Sequence, residues 1–222
     1  MVNKRQVYLV MLCIRHYKKT YGEVTVLQVE QLRLDTGIYW LKGANGTGKT
    51  TLLKSIAGLL PFKGEIEADG LSLRKNRMAY TRKVSFAEAE PVYPSFLTGN
   101  DLMQFYLQTK GGTRVQLTEM ANLLGIAPYL ANAVGTYSSG MLKKLSLLLG
   151  FAGTPSLVLL DEPFVTLDIK AVEVLRSLIA DYSNRSVSFL ISSHQPLMLN
   201  VASQNLQIDQ QTIYRETYVQ GA

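Results

Sequence analysis

Hydrophobic and polar positions follow two different periods along this chain. VTVLQV (Val24 to Val29) and GIYWLKG (Gly37 to Gly43) are short apolar runs bounded by turn residues, the pattern of strands. The second runs directly into a glycine-rich loop, after which Leu52, Leu53, Ile56 and Leu59 fall on one face at helical spacing until Pro61 stops the pattern. The expected order is strand, loop, helix, with the helix starting near Gly48. From Lys63 to Arg82 the chain is polar, with turns at Asp69-Gly70 and Lys75-Asn76, and KVSFAEAE then reads as another strand. Between about 94 and 149 the period becomes helical, in DLMQFYL, EMANLLGI and GMLKKLSLLLGF, which are separated by Gly111-Gly112, Pro128 and Gly135. This stretch predicts an all-helical insertion. SLVLLDEP and VSFLISSH come after it as two apolar runs on either side of a helical pattern around Val172 to Tyr182, which predicts a parallel βαβ unit.

Bulk properties narrow this picture without redirecting it. With 222 residues, 47% hydrophobic and 18% charged, the chain has the make-up of a compact globular protein with one core and an insertion. The single cysteine, Cys13, has no intramolecular disulfide partner, and no Cys/His cluster has zinc spacing, so a reducing compartment is expected. VYLVMLCI (Val7 to Ile14) is far shorter than the roughly 20 residues that cross a bilayer and reads as a buried strand. Lys4 and Arg5 precede it as in a signal peptide, but Arg15, His16, Lys18 and Lys19 stand where a small-residue cleavage site belongs. The net charge of +6 is spread along the chain, the mark of a solvated surface, and no nucleic-acid partner is expected.

Two motifs carry chemistry. Residues 43 to 50, GANGTGKT, match the G-x-x-x-x-G-K-[ST] phosphate loop between a strand pattern and a helix pattern. Gly43, Gly46 and Gly48 free the backbone so that the N–H groups of Gly43, Ala44, Asn45, Gly46, Thr47, Gly48, Lys49, Thr50 and Thr51 converge on phosphates, with the helix dipole behind them. Lys49 is expected on the β- and γ-phosphates and the Thr50 hydroxyl on Mg²⁺. In the second motif, Asp161 and Glu162 close a buried run, where open α/β sheets bind ligands. Asp161 would hold Mg²⁺ and Glu162 would polarise the attacking water; the rival reading makes them cap and first-turn acids of the next helix.

These motifs alone license a phosphate-loop NTPase. YSSGM (Tyr137 to Met141), about 20 residues before the acids, resembles the signature motif of ATP-binding cassette (ABC) ATPases, usually LSGGQ. TLD (Thr166 to Asp168) resembles their D-loop, and His194, after VSFLISS, their switch histidine. Taken singly, Ser138 is equally readable as a helix N-cap and His194 as a strand-end histidine.

The resemblance spans nearly the whole chain and implies an α/β fold: a P-loop NTPase core around a mainly parallel sheet, an antiparallel β subdomain near the N-terminus and a helical subdomain. It implies one domain over 1–222, with the core from 1–93 and 150–222 and the helical subdomain over 94–149. The implied activity is ATP hydrolysis with Mg²⁺, with Glu162, His194 and Lys49 as catalytic residues. By the same resemblance two copies sandwich ATP head to tail, Ser138 and Gly140 of one donating to the γ-phosphate on the other, with Ser139 among the nucleotide-binding residues and Asp168 aligning the two copies. Tyr21 would stack on adenine, with Tyr17 as the alternative and a core tyrosine as a third reading. Glu88 stands where the family usually has a metal-touching glutamine, so the implied metal set is Thr50, Asp161 and Glu88. A separate transmembrane permease would dock in a groove beside Glu88, near Tyr93, Phe96 and Leu97, holding the chain at the inner face of the cell membrane. Ser139 and Met141 replace signature residues in a way that resembles the export-type subgroup. A soluble ABC ATPase acting on ribosomes or DNA, or a non-hydrolysing ATP-binding scaffold, are the alternative functions.

Overall fold

The computed structural model describes residues 10–216. Two sheets share the chain. The first is antiparallel in the order β2-β1-β4-β5, built from β1 (Val10–Tyr21), β2 (Val24–Asp35), β4 (Lys63–Ala68) and β5 (Leu71–Ser72). The second has the order β10-β9-β3-β8-β7-β6, from β3 (Ile38–Lys42), β6 (Val84–Ala87), β7 (Leu157–Asp161), β8 (Ser188–Ser192), β9 (Gln204–Asp209) and β10 (Thr212–Arg215). In it β9, β3, β8, β7 and β6 pair in parallel, and β10 pairs antiparallel with β9. Helix α1 (Lys49–Ile56) follows β3, α2 (Arg77–Lys83) precedes β6, and α6 (Ile169–Asn184) joins β7 to β8. Between β6 and β7 lie α3 (Gly99–Lys110), α4 (Arg114–Leu123), two 3₁₀ turns and α5 (Ser139–Gly150). The α/β architecture expected from the sequence is therefore present, including the parallel β7-α6-β8 unit.

The parallel sheet is covered on both faces, which explains why its strands read as unbroken apolar runs. Along β7, Val158 and Leu160 join the core under the helical segment, whereas Leu157 and Leu159 join the core shared with the antiparallel sheet. Strand β8 divides the same way, with Phe189 and Ile191 on one side and Leu190 on the other. This alternation is the two-residue period of a strand, hidden in the sequence because neither face meets water. Helices α3, α4, α5 and α6 start at Thr98, Thr113, Ser138 and Asp168, whose side-chain oxygens accept first-turn N–H groups.

Two expectations change. Leu59 was expected on the buried face of α1, but the helix ends at Ile56; Gly58 turns the chain at φ +76° and Leu59 is 57% exposed. The polar stretch from Lys63 holds β4, whose charged residues escaped a hydrophobicity test because they alternate with the buried Ile66 and Ala68 and pair with Arg15 of β1. Of the strand expected over Val7 to Ile14, residues 7–9 lie outside the described residues, as does the rest of the stretch before Val10; β1 takes up the remainder.

Two buried groups give this fold a pH signature. The Lys110 ammonium donates to the carbonyls of Thr81 and Val84, and burial pulls its pKa down to about 8; burial pushes that of Tyr17 up to about 12. Between pH 8 and the ordinary lysine value of about 10.4, the unfolded chain holds a proton that folded Lys110 has released, so stability rises with pH. Above about pH 10 the unfolded tyrosine loses a proton that folded Tyr17 keeps, so stability falls. Urea midpoints should rise from pH 7 to pH 10 and fall from about pH 10.5 to pH 12; a fall from 7 to 10 would contradict the lysine assignment, and a continued rise above about 10.5 the tyrosine one.

Candidate functional site

The loop from Gly43 to Gly48 turns β3 into α1. Gly43 (φ +154°) has no room for a side chain, since a Cβ would lie 2.6 Å from Thr47 Oγ1 and 3.0 Å from the Ile208 carbonyl. Gly48 (φ +101°) would drive a Cβ to 2.9 Å from Val26, which puts β2 against the loop. Because Gly48 is also the N-cap, the first turn of α1 has no side-chain acceptor and its N–H groups are left for a ligand. Lys49 Nζ folds back onto the carbonyls of Gly43 at 2.7 Å and Ala44 at 3.0 Å. Burial pulls its pKa down, against the carboxylates of Glu162 and Asp161, which push it up.

Strand β7 delivers the acids to this loop. The Asp161 carboxylate is buried, accepting from Thr50 Oγ1 at 2.8 Å and Ser192 Oγ at 2.5 Å. Glu162 leaves the strand in the left-handed region, φ +43°, a conformation that costs a non-glycine residue free energy. Its N–H donates to Ser192 Oγ, and its Oε1 is buried without a hydrogen bond, 3.3 Å from His194 Nε2 but outside hydrogen-bond geometry. Asn45, Gly46, Gly48, Lys49, Thr50, Thr51, Asp161, Glu162 and His194 thus line one cleft of about 290 Å³. The acids do not cap the following helix; Asp168 does.

Gly43, Ala44 and Thr47 form the base of the loop, where Thr47 Oγ1 donates to the Ala44 carbonyl. Ser138 caps α5 through Met141 N–H, so the cap reading of that serine is correct as local structure. Ser138 and Ser139 are exposed, and Gly140 faces Thr166, which a Cβ would approach to 2.9 Å. Asp168 pairs with Lys144 of α5, and this bond lowers its carboxyl pKa. Neither the signature residues nor Asp168 line the phosphate-loop cleft of their own chain.

Two candidates are corrected. Tyr17 is fully buried, bonded to Ser55 Oγ and packed on Phe62, so it belongs to the core and cannot stack on a ligand; Tyr21 is 51% exposed at the hairpin end, with Lys19 Nζ 4.6 Å from its ring centroid. Glu88 is not brought to Thr50 and Asp161. Its carboxylate pairs with Lys54 of α1 at 2.9 Å and lines a separate cavity with Phe86, Phe105 and Tyr106, while Ala89 and Glu90 face the space beside Glu162. Ser192 and Lys143 were missed. Ser192 ends a buried run at the same sheet edge as Asp161, and Lys143 lies three and four residues before the buried Ser146 and Leu147, the helical spacing of an inward face.

Comparison with known proteins agrees with this geometry. The ABC transporter family model matches residues 27–165. Cytochrome c biogenesis ATP-binding export protein CcmA of Legionella pneumophila is 34% identical over 184 residues, 82% of this chain and 92% of that protein. Lantibiotic transport ATP-binding protein SrtF of Streptococcus pyogenes is 30% identical over 187 residues, 83% of this chain and 80% of its own. A solved ATP-binding subunit of an ABC transporter superposes with a TM-score of 0.83 over 94% of this chain and 90% of its own; at 22% identity it speaks to the fold. A phosphate loop after β3, paired acids at the exit of the parallel strand β7, and a family match running through both leave one assignment: this chain belongs to the ABC transporter family, as an ATP-binding subunit.

Proposed function

We propose that the chain hydrolyses ATP with Mg²⁺ and that two copies sandwich the nucleotide to drive a separate permease. The observation that supports hydrolysis best is Glu162: an acid held in a strained backbone conformation, with a buried oxygen lacking a hydrogen bond, in the cleft that holds Lys49 and His194. Such an oxygen is costly unless a ligand proton reaches it. Glu162 accepts the proton of the attacking water, His194 and Lys49 contact the γ-phosphate, and the backbone N–H groups of the loop cradle the phosphates. Thr50 and Asp161, already in contact at 2.8 Å, offer the hard oxygen donors that suit Mg²⁺. When bound, the ion would neutralise phosphate charge.

Tyr21 receives the adenine ring. Ser138 and Ser139 are exposed, which fits a role of this segment with Gly140 toward nucleotide on a second copy, and Asp168 pairs with Lys144 of the same helix. The permease docks at the cavity of about 310 Å³ between α1, β6 and α3, where Leu59, Phe105 and Glu88 meet. Phe96 is 78% exposed nearby, while Tyr93 and Leu97 pack on the helical core. No described helix is long and apolar enough to cross a membrane. In this reading the permease holds the chain at the inner face of the cell membrane. Export is the direction favoured, by the name of CcmA.

One preparation tests this reading: the chain co-purified with its membrane partner. Phosphate release should require Mg²⁺ and stop with a chelator, and cysteines placed over 88–98 should crosslink to the partner with a yield that changes on adding ATP. ATP bound without any Mg²⁺-dependent release would leave a scaffold, and crosslinks confined to the opposite face, over 207–216, would remove the docking site.

A further inference from the structure

Helix α5 is rich in leucine, yet one of its most deeply buried side chains is a lysine. Lys143 is 1% exposed. Its ammonium donates to the Asp161 carbonyl at 2.8 Å, the Glu88 carbonyl at 2.9 Å and the Ala89 carbonyl at 3.3 Å. Three acceptors use all three donors of the group. One turn further along, Ser146 Oγ accepts the Glu88 N–H at 3.1 Å. A single face of α5 therefore grips the exits of two parallel strands, β6 and β7, at the edge where the nucleotide cleft opens.

Burying an ammonium with carbonyl partners only is expensive, and methionine would fill the same volume without that cost. What an apolar side chain cannot supply is a fixed geometry among three segments. The Asp161 carbonyl belongs to the peptide that leads into Glu162, so a shift there moves both carboxylates together. The Glu88 and Ala89 carbonyls belong to the segment between the cleft and the cavity beside α3. The helix itself opens at Ser138, less than two turns before Lys143.

We infer that Lys143 is a positioning residue for ATP hydrolysis, tying the helix that opens at Ser138 to the backbone of Asp161 and of Glu88 and Ala89, and so setting where Asp161 and Glu162 stand above the phosphate loop. The inference rests on the hydrolytic reading of those two acids. It predicts a loss in turnover rather than in nucleotide binding, because Lys143 touches neither the loop nor the cleft surface.

Lys143→Met and Lys143→Gln in the full chain test it, through steady-state hydrolysis of Mg-ATP, calorimetric ATP affinity and the thermal midpoint. The methionine variant should lose about 30-fold in kcat, and the glutamine variant, which keeps a donor, about 5-fold, since small displacements of reacting groups carry such penalties. KM and ATP affinity should stay within about 3-fold of the wild type in both. If the methionine variant does not fold, the glutamine variant decides: reduced kcat at unchanged KM supports the role, and wild-type kcat overturns it. A folded methionine variant with wild-type kcat, or kcat and KM changing together in step with a lower thermal midpoint, also overturns it. A wild-type chain that binds ATP but never hydrolyses it would instead remove the hydrolytic reading beneath.

Discussion

Replacing Glu162 by glutamine is expected to lower ATP turnover by at least about 100-fold, within the range general-base groups contribute. The substitution keeps the length and shape of the side chain and a contact with His194, and it removes the negative charge that accepts the water proton. The surroundings are insensitive to the change: the Glu162 N–H remains bonded to Ser192 Oγ, and Asp161 keeps Thr50 and Ser192. Binding of ATP should therefore persist while hydrolysis is lost. Phosphate release within about 3-fold of the wild type would show that another group does this work.

Lys49→Ala is the second large effect, and it acts on the other side of the balance. Lys49 begins α1, where alanine is an excellent helix residue, so the fold should survive. Its ammonium holds two loop carbonyls and is the mobile cation of the cleft. Exchanging these carbonyls for phosphate oxygens creates charge-assisted bonds, and losing them should cost about 3 kcal/mol, or about 100-fold in ATP affinity. The backbone cradle alone should still retain weak binding. Calorimetry giving wild-type affinity for this variant would contradict the placement of phosphates on the loop.

Legibility of the sequence varied with how local the cause was. The phosphate loop, the acids after β7 and the cap at Ser138 are short-range features, each dictated by residues within a few positions of one another, and the structure forms all of them. Strand β4 was hidden because its pairing partner β1 lies some fifty residues away in sequence, where Arg15 bonds Glu65 and Glu67. The same holds for Lys143, whose acceptors are backbone carbonyls that no residue pattern announces. Tyr17 and Tyr21 lie on one strand in one short motif, yet only their burial, zero against 51% exposed, separates a core tyrosine from a surface one. Glu88 was placed by the family resemblance alone. Its pairing with Lys54, on the fifth residue after the loop lysine, sends the carboxylate toward the docking cavity and leaves Ala89 and Glu90 beside Glu162.

The central proposal is that ATP is held between two copies of this chain, and the Glu162→Gln variant makes that state long-lived. Light scattering of this variant with saturating Mg-ATP measures it directly. The account predicts a species of twice the 24.7 kDa of one chain that reverts to a single chain when ADP replaces ATP. A mass that stays at 24.7 kDa at every protein concentration, with ATP demonstrably bound, would contradict it.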